Sequence, residues 1–223
     1  MFQSNNNILN EDLKYIYSSL DCLNKLNNKT ILITGCAGFL GFYFLQFLLL
    51  YSEKLGIKKI IGLDNFFINE PYWIKTLESK YPNLFFLSQF DIAEDNLTNI
   101  PSITEVNLVI HCASIASPTF YRKYPLETID ANVWGLRKLL DFYKSSKKLD
   151  GFLFFSSSEI YGDPELNKIP TDENYPGNVL CNGPRACYDE SKRFGETLCL
   201  VYSQKYDMPI TIARPFNNFG PGM

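Results

Sequence analysis

Tyr188 and Lys192 lie four positions apart in a stretch of helical character, residues 184–206, so their side chains share one helix face. A tyrosine with an ordinary pKa of about 10 is a poor base near neutral pH. A neighbouring ammonium favours the phenolate. Bringing the phenol down to about 7 takes roughly 4 kcal/mol, within reach of close cations in a sheltered site. The pair then becomes a general base for a hydroxyl group. Upstream, Ser156-Ser157-Ser158-Glu159 ends an apolar run. The Ser157 hydroxyl can hydrogen-bond a reacting oxygen and pass its proton toward Tyr188, and Glu159 can act on an acidic or carboxylate-bearing carbon centre. Taken alone, serines after a strand are ordinary turn chemistry, and Tyr-x-x-x-Lys occurs on many solvated helix faces. They gain meaning from a third pattern near the start of the chain, Gly35, Gly38 and Gly41 in the spacing G-x-x-G-x-x-G.

Those glycines separate a short apolar strand, Thr30-Ile31-Leu32-Ile33, from an apolar segment, residues 42–51, that reads as a helix. Strand, glycine turn and helix in that order form the context of a dinucleotide site. Gly35 permits the tight turn, Gly38 lets the backbone approach a pyrophosphate, and Gly41 lets the helix pack on the sheet. The helix N-terminus offers unpaired N–H groups and a partial positive charge to the phosphates. A second strand, residues 58–63, leads into Asp64, 23 positions beyond Gly41, where a ribose-binding acid is expected. A carboxylate there accepts hydrogen bonds from ribose hydroxyls and repels a 2′-phosphate. No Lys or Arg follows before Lys75, so the pattern favours NAD over NADP. The positive nicotinamide ring is then a second cation for Tyr188.

The remaining elements must bring these groups together. Spacing and composition predict a helix over residues 70–80 and strands over 83–88 and 105–111, the latter ending on His111 with Cys112-Ala113-Ser114 as its exit turn. A long helix follows over 125–147, then a strand over 151–155, the helix that carries Tyr188, and a strand over 208–213. Strands alternating with helices predict an α/β fold, a doubly wound parallel sheet of the Rossmann type, over residues 29–223. Ser157 then falls at the carboxyl end of the fifth strand, where open α/β sheets hold their ligands. Residues 1–28 read as a helical extension, because Leu13, Ile16, Tyr17, Leu20, Leu23 and Leu26 recur at helical spacing over 11–26. His111, at a strand end, reads as a structural histidine.

Bulk properties exclude several classes. The chain has 223 residues, 46% hydrophobic and 20% charged, enough for a sizeable core. A net charge of −3 argues against a general nucleic-acid or anionic-membrane surface. Six cysteines without a C-x-x-C pair indicate neither a zinc site nor a disulfide framework, and a reduced, cytoplasmic protein is expected. The first ten residues lack the basic-then-apolar order of a signal peptide, and the most apolar run, residues 39–51, is too short to span a bilayer. The lone histidine excludes a histidine dyad, and no metal site is expected.

Together, several stretches resemble the extended short-chain dehydrogenase/reductase family, the NAD-dependent epimerases and dehydratases that modify nucleotide sugars. They are Thr34-Gly35-Cys36-Ala37-Gly38-Phe39-Leu40-Gly41, Leu63-Asp64-Asn65-Phe66-Phe67, Ser156 to Pro164, Tyr188-Asp189-Glu190-Ser191-Lys192-Arg193, and Arg214 to Pro221. The resemblance covers about residues 29–223. It implies a cofactor site of Gly35, Gly38, Phe39, Leu40, Gly41, Asp64, Asn65, Phe66, Ala113 and Ser114 with Tyr188 and Lys192. Asp91, near the adenine, and Ile92 join that site. Ser157, Glu159, Tyr188 and Lys192 are implied as catalytic, and Ser157 and Asn217 as substrate-binding.

Within the family, Gly183-Pro184-Arg185-Ala186-Cys187-Tyr188-Asp189-Glu190 and Ala113-Ser114-Ile115-Ala116-Ser117-Pro118 look most like the branch that decarboxylates UDP-glucuronate to UDP-xylose. That likeness implies oxidation at C4 of the sugar by NAD, with Tyr188 as base and Ser157 assisting. The C5 carboxylate becomes a β-keto acid that loses carbon dioxide, and the hydride then returns. The related dTDP-glucose 4,6-dehydratases carry Thr-Asp-Glu where this chain has Ser157-Ser158-Glu159, and serine is too weak an acid for their step. A 4-epimerase needs neither acid and stays open. The resemblance also implies a UDP-sugar partner and a homodimer or larger assembly. The family extends well beyond Gly220-Pro221, into a lobe that closes over the sugar and bears an arginine facing its carboxylate. Without that lobe, the expectation is a chain that binds NAD and turns over nucleotide sugar slowly or not at all. The non-enzyme alternative is an NAD-binding module completed by another chain.

Overall fold

Short β-branched and aromatic runs, each bounded by turn residues, form six strands that all run parallel in one sheet. The computed structural model describes residues 2–223, with side chains from residue 7 onward; Met1, the first residue of the expected N-terminal extension, lies outside the described residues. Helix α1 (Phe2–Ser19) and a 3₁₀ turn (Leu23–Leu26) lead into β1 (Thr30–Thr34). Then come α2 (Phe39–Leu50), α3 (Ser52–Leu55), β2 (Lys59–Asp64), α4 (Tyr72–Lys80) and β3 (Phe85–Gln89). The second half holds β4 (Leu108–His111), α5 (Pro118–Lys123), α6 (Pro125–Ile129), a π-helical turn (Asp130–Gly135) and α7 (Leu136–Tyr143). It closes with β5 (Gly151–Phe155), α8 (Ala186–Tyr206) and β6 (Ile210–Ala213).

The strand order β3-β2-β1-β4-β5-β6 is that of a doubly wound dinucleotide-binding sheet, with the order reversing between β1 and β4. The two-residue period of the strands divides the core into two layers. Ile31, Ile33 and Ile60 pack against Phe42, Leu45 and Leu49 of α2 and Leu13 of α1. Leu32, Ile61, Val109, Phe152 and Phe154 face the other way, onto Leu136, Leu139 and Leu140 of α7 and Leu198, Cys199 and Tyr202 of α8.

Several boundaries differ from the sequence expectation. Helix α1 starts before residue 11 and ends at Ser19, so Leu20 lies outside it and is exposed. Ser18 turns its hydroxyl back onto the Tyr15 carbonyl, a side-chain bond that competes with helix continuation. Helix α2 begins at Phe39 instead of residue 42, with Gly38 as its N-cap, so its free N–H groups abut the glycine turn. The strand expected over 105–111 starts only at Leu108, because residues 103–105 form a 3₁₀ turn. The expected helix over 125–147 stops at Tyr143 and is broken by the π-helical turn, a local widening that often marks functional positions. Helix α5 was not foreseen; Pro118 at its first turn supplies the start signal.

Candidate active site

A cleft of about 1040 Å³ opens at the carboxyl ends of the strands, at the reversal point between β1 and β4. Gly35, Gly38, Phe39, Leu40, Asp64, Asn65, Asp91, Ile92, Ala113, Ser114, Ser157, Glu159, Tyr188, Lys192 and Asn217 all line it. Two expected residues do not. Gly41 sits behind the turn, where a Cβ would fall 2.4 Å from the Cys36 carbonyl oxygen; its role is the close approach of α2. Phe66 packs with the apolar layer under α2, and its neighbours Asn65 and Phe67 line the cleft. Its positive φ of 56° turns the chain so that its own N–H reaches Asp64 and the ring points away from the cleft.

The glycine turn is built for a backbone-lined cradle. Gly35 has φ +68°, and a Cβ there would meet the Ala113 backbone nitrogen at 2.5 Å. Its N–H bonds the Leu63 carbonyl at 2.8 Å, locking the exit of β1 to the end of β2. At Gly38 a Cβ would lie 3.3 Å from the Gly35 oxygen, narrowing the space in front of the α2 N-terminus. Asp64 ends β2 with both oxygens engaged: Oδ1 accepts from the Phe66 N–H and Oδ2 from the Ala37 N–H, each at 2.9 Å. Burial raises its carboxyl above the usual range, and those two N–H groups partly offset that. Each oxygen keeps lone-pair capacity for a ribose hydroxyl. Asp91 accepts from the Asn65 amide and from the Ala93 N–H, both at 2.9 Å, and so ties the β2 and β3 exit loops together. The buried Ser114 hydroxyl has no partner among the described residues. A cradle emptied of side chains, an orphaned hydroxyl, a helix N-terminus and a strand-end carboxylate fit an NAD molecule.

Opposite the turn stands the acid–base cluster. Tyr188 and Lys192 project from α8, and Ser157 leaves the end of β5. All three are buried. Burial raises the Tyr188 phenol above its ordinary value, opposed first by a hydrogen bond with Ser157. Lys192 is not among the leading influences on that phenol, whose net shift is upward. The Lys192 ammonium donates instead to the Phe155 carbonyl at 2.7 Å and lies 5.8 Å from the centre of the Tyr188 ring. Burial lowers Lys192 itself to about 8. Burial thus favours the protonated phenol, and the Lys192 ammonium is held on the backbone.

Glu159 accepts from the Arg185 guanidinium, and its own N–H bonds the Ser157 hydroxyl at 3.2 Å. His111 pairs its Nδ1 with the Thr34 hydroxyl at 2.7 Å, and burial and then Lys192 push its pKa down to about 3, so the ring is neutral. His111 does not line the cleft, and its buried Nε2 has no partner among the described residues.

Three contributors carried no sequence assignment. Tyr121 of α5 stacks on Tyr188 with ring centres 5.1 Å apart. Asn132, carried by the π-helical turn, donates to the Ser191 hydroxyl at 2.8 Å, and Ser191 donates to the Tyr188 carbonyl at 2.9 Å. This chain of bonds fixes the backbone of the tyrosine. Arg185 stood inside a quoted motif without a role.

A glycine turn at the reversal point of such a sheet, facing a Ser-Tyr-Lys cluster, is the arrangement of a dinucleotide-binding enzyme fold. The chain belongs to the NAD dependent epimerase/dehydratase family, which it matches over residues 31–223. It is 36% identical over 211 residues to UDP-glucuronic acid decarboxylase 1 of Xenopus tropicalis, covering 93% of this chain and 45% of that protein. It is 38% identical over 201 residues to UDP-glucuronic acid decarboxylase 6 of Arabidopsis thaliana, covering 88% and 53%. The chain thus spans about half the length of the curated relatives it matches. Among solved structures it resembles the UDP-glucuronic acid 4-epimerase of Bacillus cereus in complex with NAD, at TM-score 0.68 and 30% identity, over 87% of this chain and 58% of that one. The dTDP-glucose 4,6-dehydratase of Bacillus anthracis, also with NAD, aligns at TM-score 0.69 and 25% identity over 86% and 56%. The family is NAD-dependent. Among the described residues no helix is long and apolar enough to cross a membrane, and no group of three metal-ligating side chains is placed to hold an ion.

Proposed function

We propose that this chain supplies the NAD-binding and acid–base half of an enzyme that decarboxylates UDP-glucuronate to UDP-xylose. The observation that carries the reading is that Ser157, Glu159, Tyr188 and Lys192 line one cleft with Asp64 and the glycine turn. Gly35 and Gly38 leave room for the pyrophosphate, and Asp64 takes the ribose hydroxyls and favours NAD over NADP. When bound, NAD supplies a reversible hydride acceptor. Ser157 hydrogen-bonds the sugar C4 oxygen and relays its proton to Tyr188, which acts as the general base. Lys192, freed from the Phe155 carbonyl, stabilises the phenolate and orients the ribose. Once C4 is a ketone, the C5 carboxylate is a β-keto acid and leaves as carbon dioxide, with Glu159 beside it. Ser158, in the place where dehydratases carry aspartate, fits a reaction that needs no acid for a leaving hydroxyl.

A second reading is 4-epimerisation of the same uronate, favoured by the 30% identity to the Bacillus cereus 4-epimerase. Incubating the NAD-loaded protein with UDP-glucuronate separates the two. A UDP-pentose with release of carbon dioxide supports decarboxylation, and UDP-galacturonate without gas supports epimerisation. Conversion of neutral UDP-hexoses alone moves the assignment to a hexose epimerase, and no conversion with intact NAD binding favours a module completed by another chain. Cytoplasmic location and a homodimer or larger assembly belong to the same proposal; exposed Trp134, Phe194 and Val201 supply apolar surface for self-association.

A further inference from the structure

The ion pair between Glu159 and Arg185 stands in the cleft beside Ser157 and Tyr188, and the proposed proton relay assigns no step to its cationic half. Arg185 caps α8 and faces a carboxylate on each of two sides. One Nη donates to Glu159, while Nε lies 3.7 Å from Asp189 Oδ2, one helical turn on. Neither that Nε nor Asp189 Oδ1 has a hydrogen-bond partner among the described residues, although both are buried. The guanidinium also faces the phenols of Tyr188 and Tyr121, lowering each against the larger effect of burial.

Charge in the cleft gives this pair its significance. The described cleft-lining residues include the carboxylates Asp64, Asp91, Glu94, Glu127, Asp130 and Glu159, against two cations, Arg185 and Lys192. Lys192 is buried and its ammonium is held on the Phe155 carbonyl. A sugar acid entering beside Glu159 meets a like charge at close range unless a cation intervenes. Among the described residues Arg185 is placed to be that cation, and it already carries an anionic partner. Exchanging one carboxylate for another on a guanidinium fork preserves a charge-assisted bond and avoids exposing an unpaired charge. A neutral hexose offers no such exchange and leaves the pair closed.

We propose that Arg185 is the specificity residue for an acidic sugar: its Nη end passes from Glu159 to the sugar carboxylate, while Asp189 keeps the Nε end in place. The exchange also releases Glu159 toward the sugar ring. This assignment rests on the uronate reading above.

Calorimetric titration of the NAD-saturated protein with UDP-glucuronate and with UDP-glucose tests it. Wild type prefers the uronate. Arg185→Gln cuts that preference by about tenfold or more, through weaker uronate binding alone, with NAD and UDP-glucose affinities within about threefold of wild type; Arg185→Lys retains part of the preference. Glu159→Gln tightens the uronate severalfold in the wild-type background and has no such effect beside Arg185→Gln. A merely structural Arg185 cannot produce that dependence. An unchanged preference in Arg185→Gln, an equal loss of both sugars, or a Glu159→Gln effect that ignores Arg185 overturns the assignment. If Arg185→Gln loses NAD binding through misfolding, Arg185→Lys and Glu159→Gln decide the matter. Wild type binding UDP-glucose as tightly as UDP-glucuronate defeats the uronate reading itself, a result visible before any variant is made.

Discussion

Replacing Lys192 with methionine removes a buried charge and keeps a chain of similar length. Lys192 is 3% exposed, and its ammonium makes one hydrogen bond, to the Phe155 carbonyl. Burial holds its pKa at about 8 instead of 10.5, against smaller raising effects from Cys112 and Cys199. At about 1.4 kcal/mol per pH unit, that difference is a folded-state cost of about 3 kcal/mol when the lysine is fully charged. The variant leaves the Phe155 carbonyl without its donor, which takes back about 1–2 kcal/mol. Lys192→Met is therefore expected to stabilise the ligand-free chain by about 1–2 kcal/mol near neutral pH, while losing the cation that the proposed chemistry needs. The pH dependence follows from linkage. A base depressed by folding carries its full cost below about 8, and the cost fades as pH rises toward 10.5, where the unfolded chain also loses the proton. Urea denaturation should show the variant ahead near pH 7 and level or behind near pH 10. A variant less stable than wild type near neutral pH, or a gap that does not change with pH, refutes the reasoning.

Asp64→Ala should weaken NAD by about 1–3 kcal/mol in calorimetric titration, since charge-assisted bonds to the ribose are lost; wild type that binds NADP more tightly than NAD contradicts the assignment of Asp64. Gly35→Ala should cost about 2–4 kcal/mol of stability, combining a left-handed residue with a Cβ pressed on the Ala113 backbone, and a loss below about 0.5 kcal/mol in urea denaturation would falsify the close-approach argument. Ser157→Ala removes the first group that lowers the Tyr188 phenol, so the rising limb of the pH–rate profile should move to higher pH and turnover should fall by about 10²-fold or more. Phe194→Glu on the exposed side of α8 should shift the protein toward monomer in light scattering, and an unchanged mass excludes that surface from self-association.

Much of this protein was legible along the chain because the information is local. The G-x-x-G-x-x-G spacing between a strand and a helix, Asp64 at the end of the next strand, and the four-residue step from Tyr188 to Lys192 each depend on one period or one turn. Alternation of strands and helices sufficed for a parallel sheet, since parallel neighbours need crossover connections. Helix ends were less readable, as at Ser19 and Tyr143, because termination there depends on competing side-chain bonds and packing.

Tertiary structure alone decided what the charged groups do. Lys192 is parked on the Phe155 carbonyl 37 positions away, Glu159 is claimed by Arg185 26 positions away, and Asn132 reaches Ser191 across 59 positions. Phe66 turns away from the cleft because Asp64 captures its N–H. Side-chain periodicity specifies which face a residue occupies, but a protonation state or a partner is set by burial and by whatever polar atom the fold brings within about 3 Å. Those distances exist only after α8 has packed against the end of β5 and the π-helical turn.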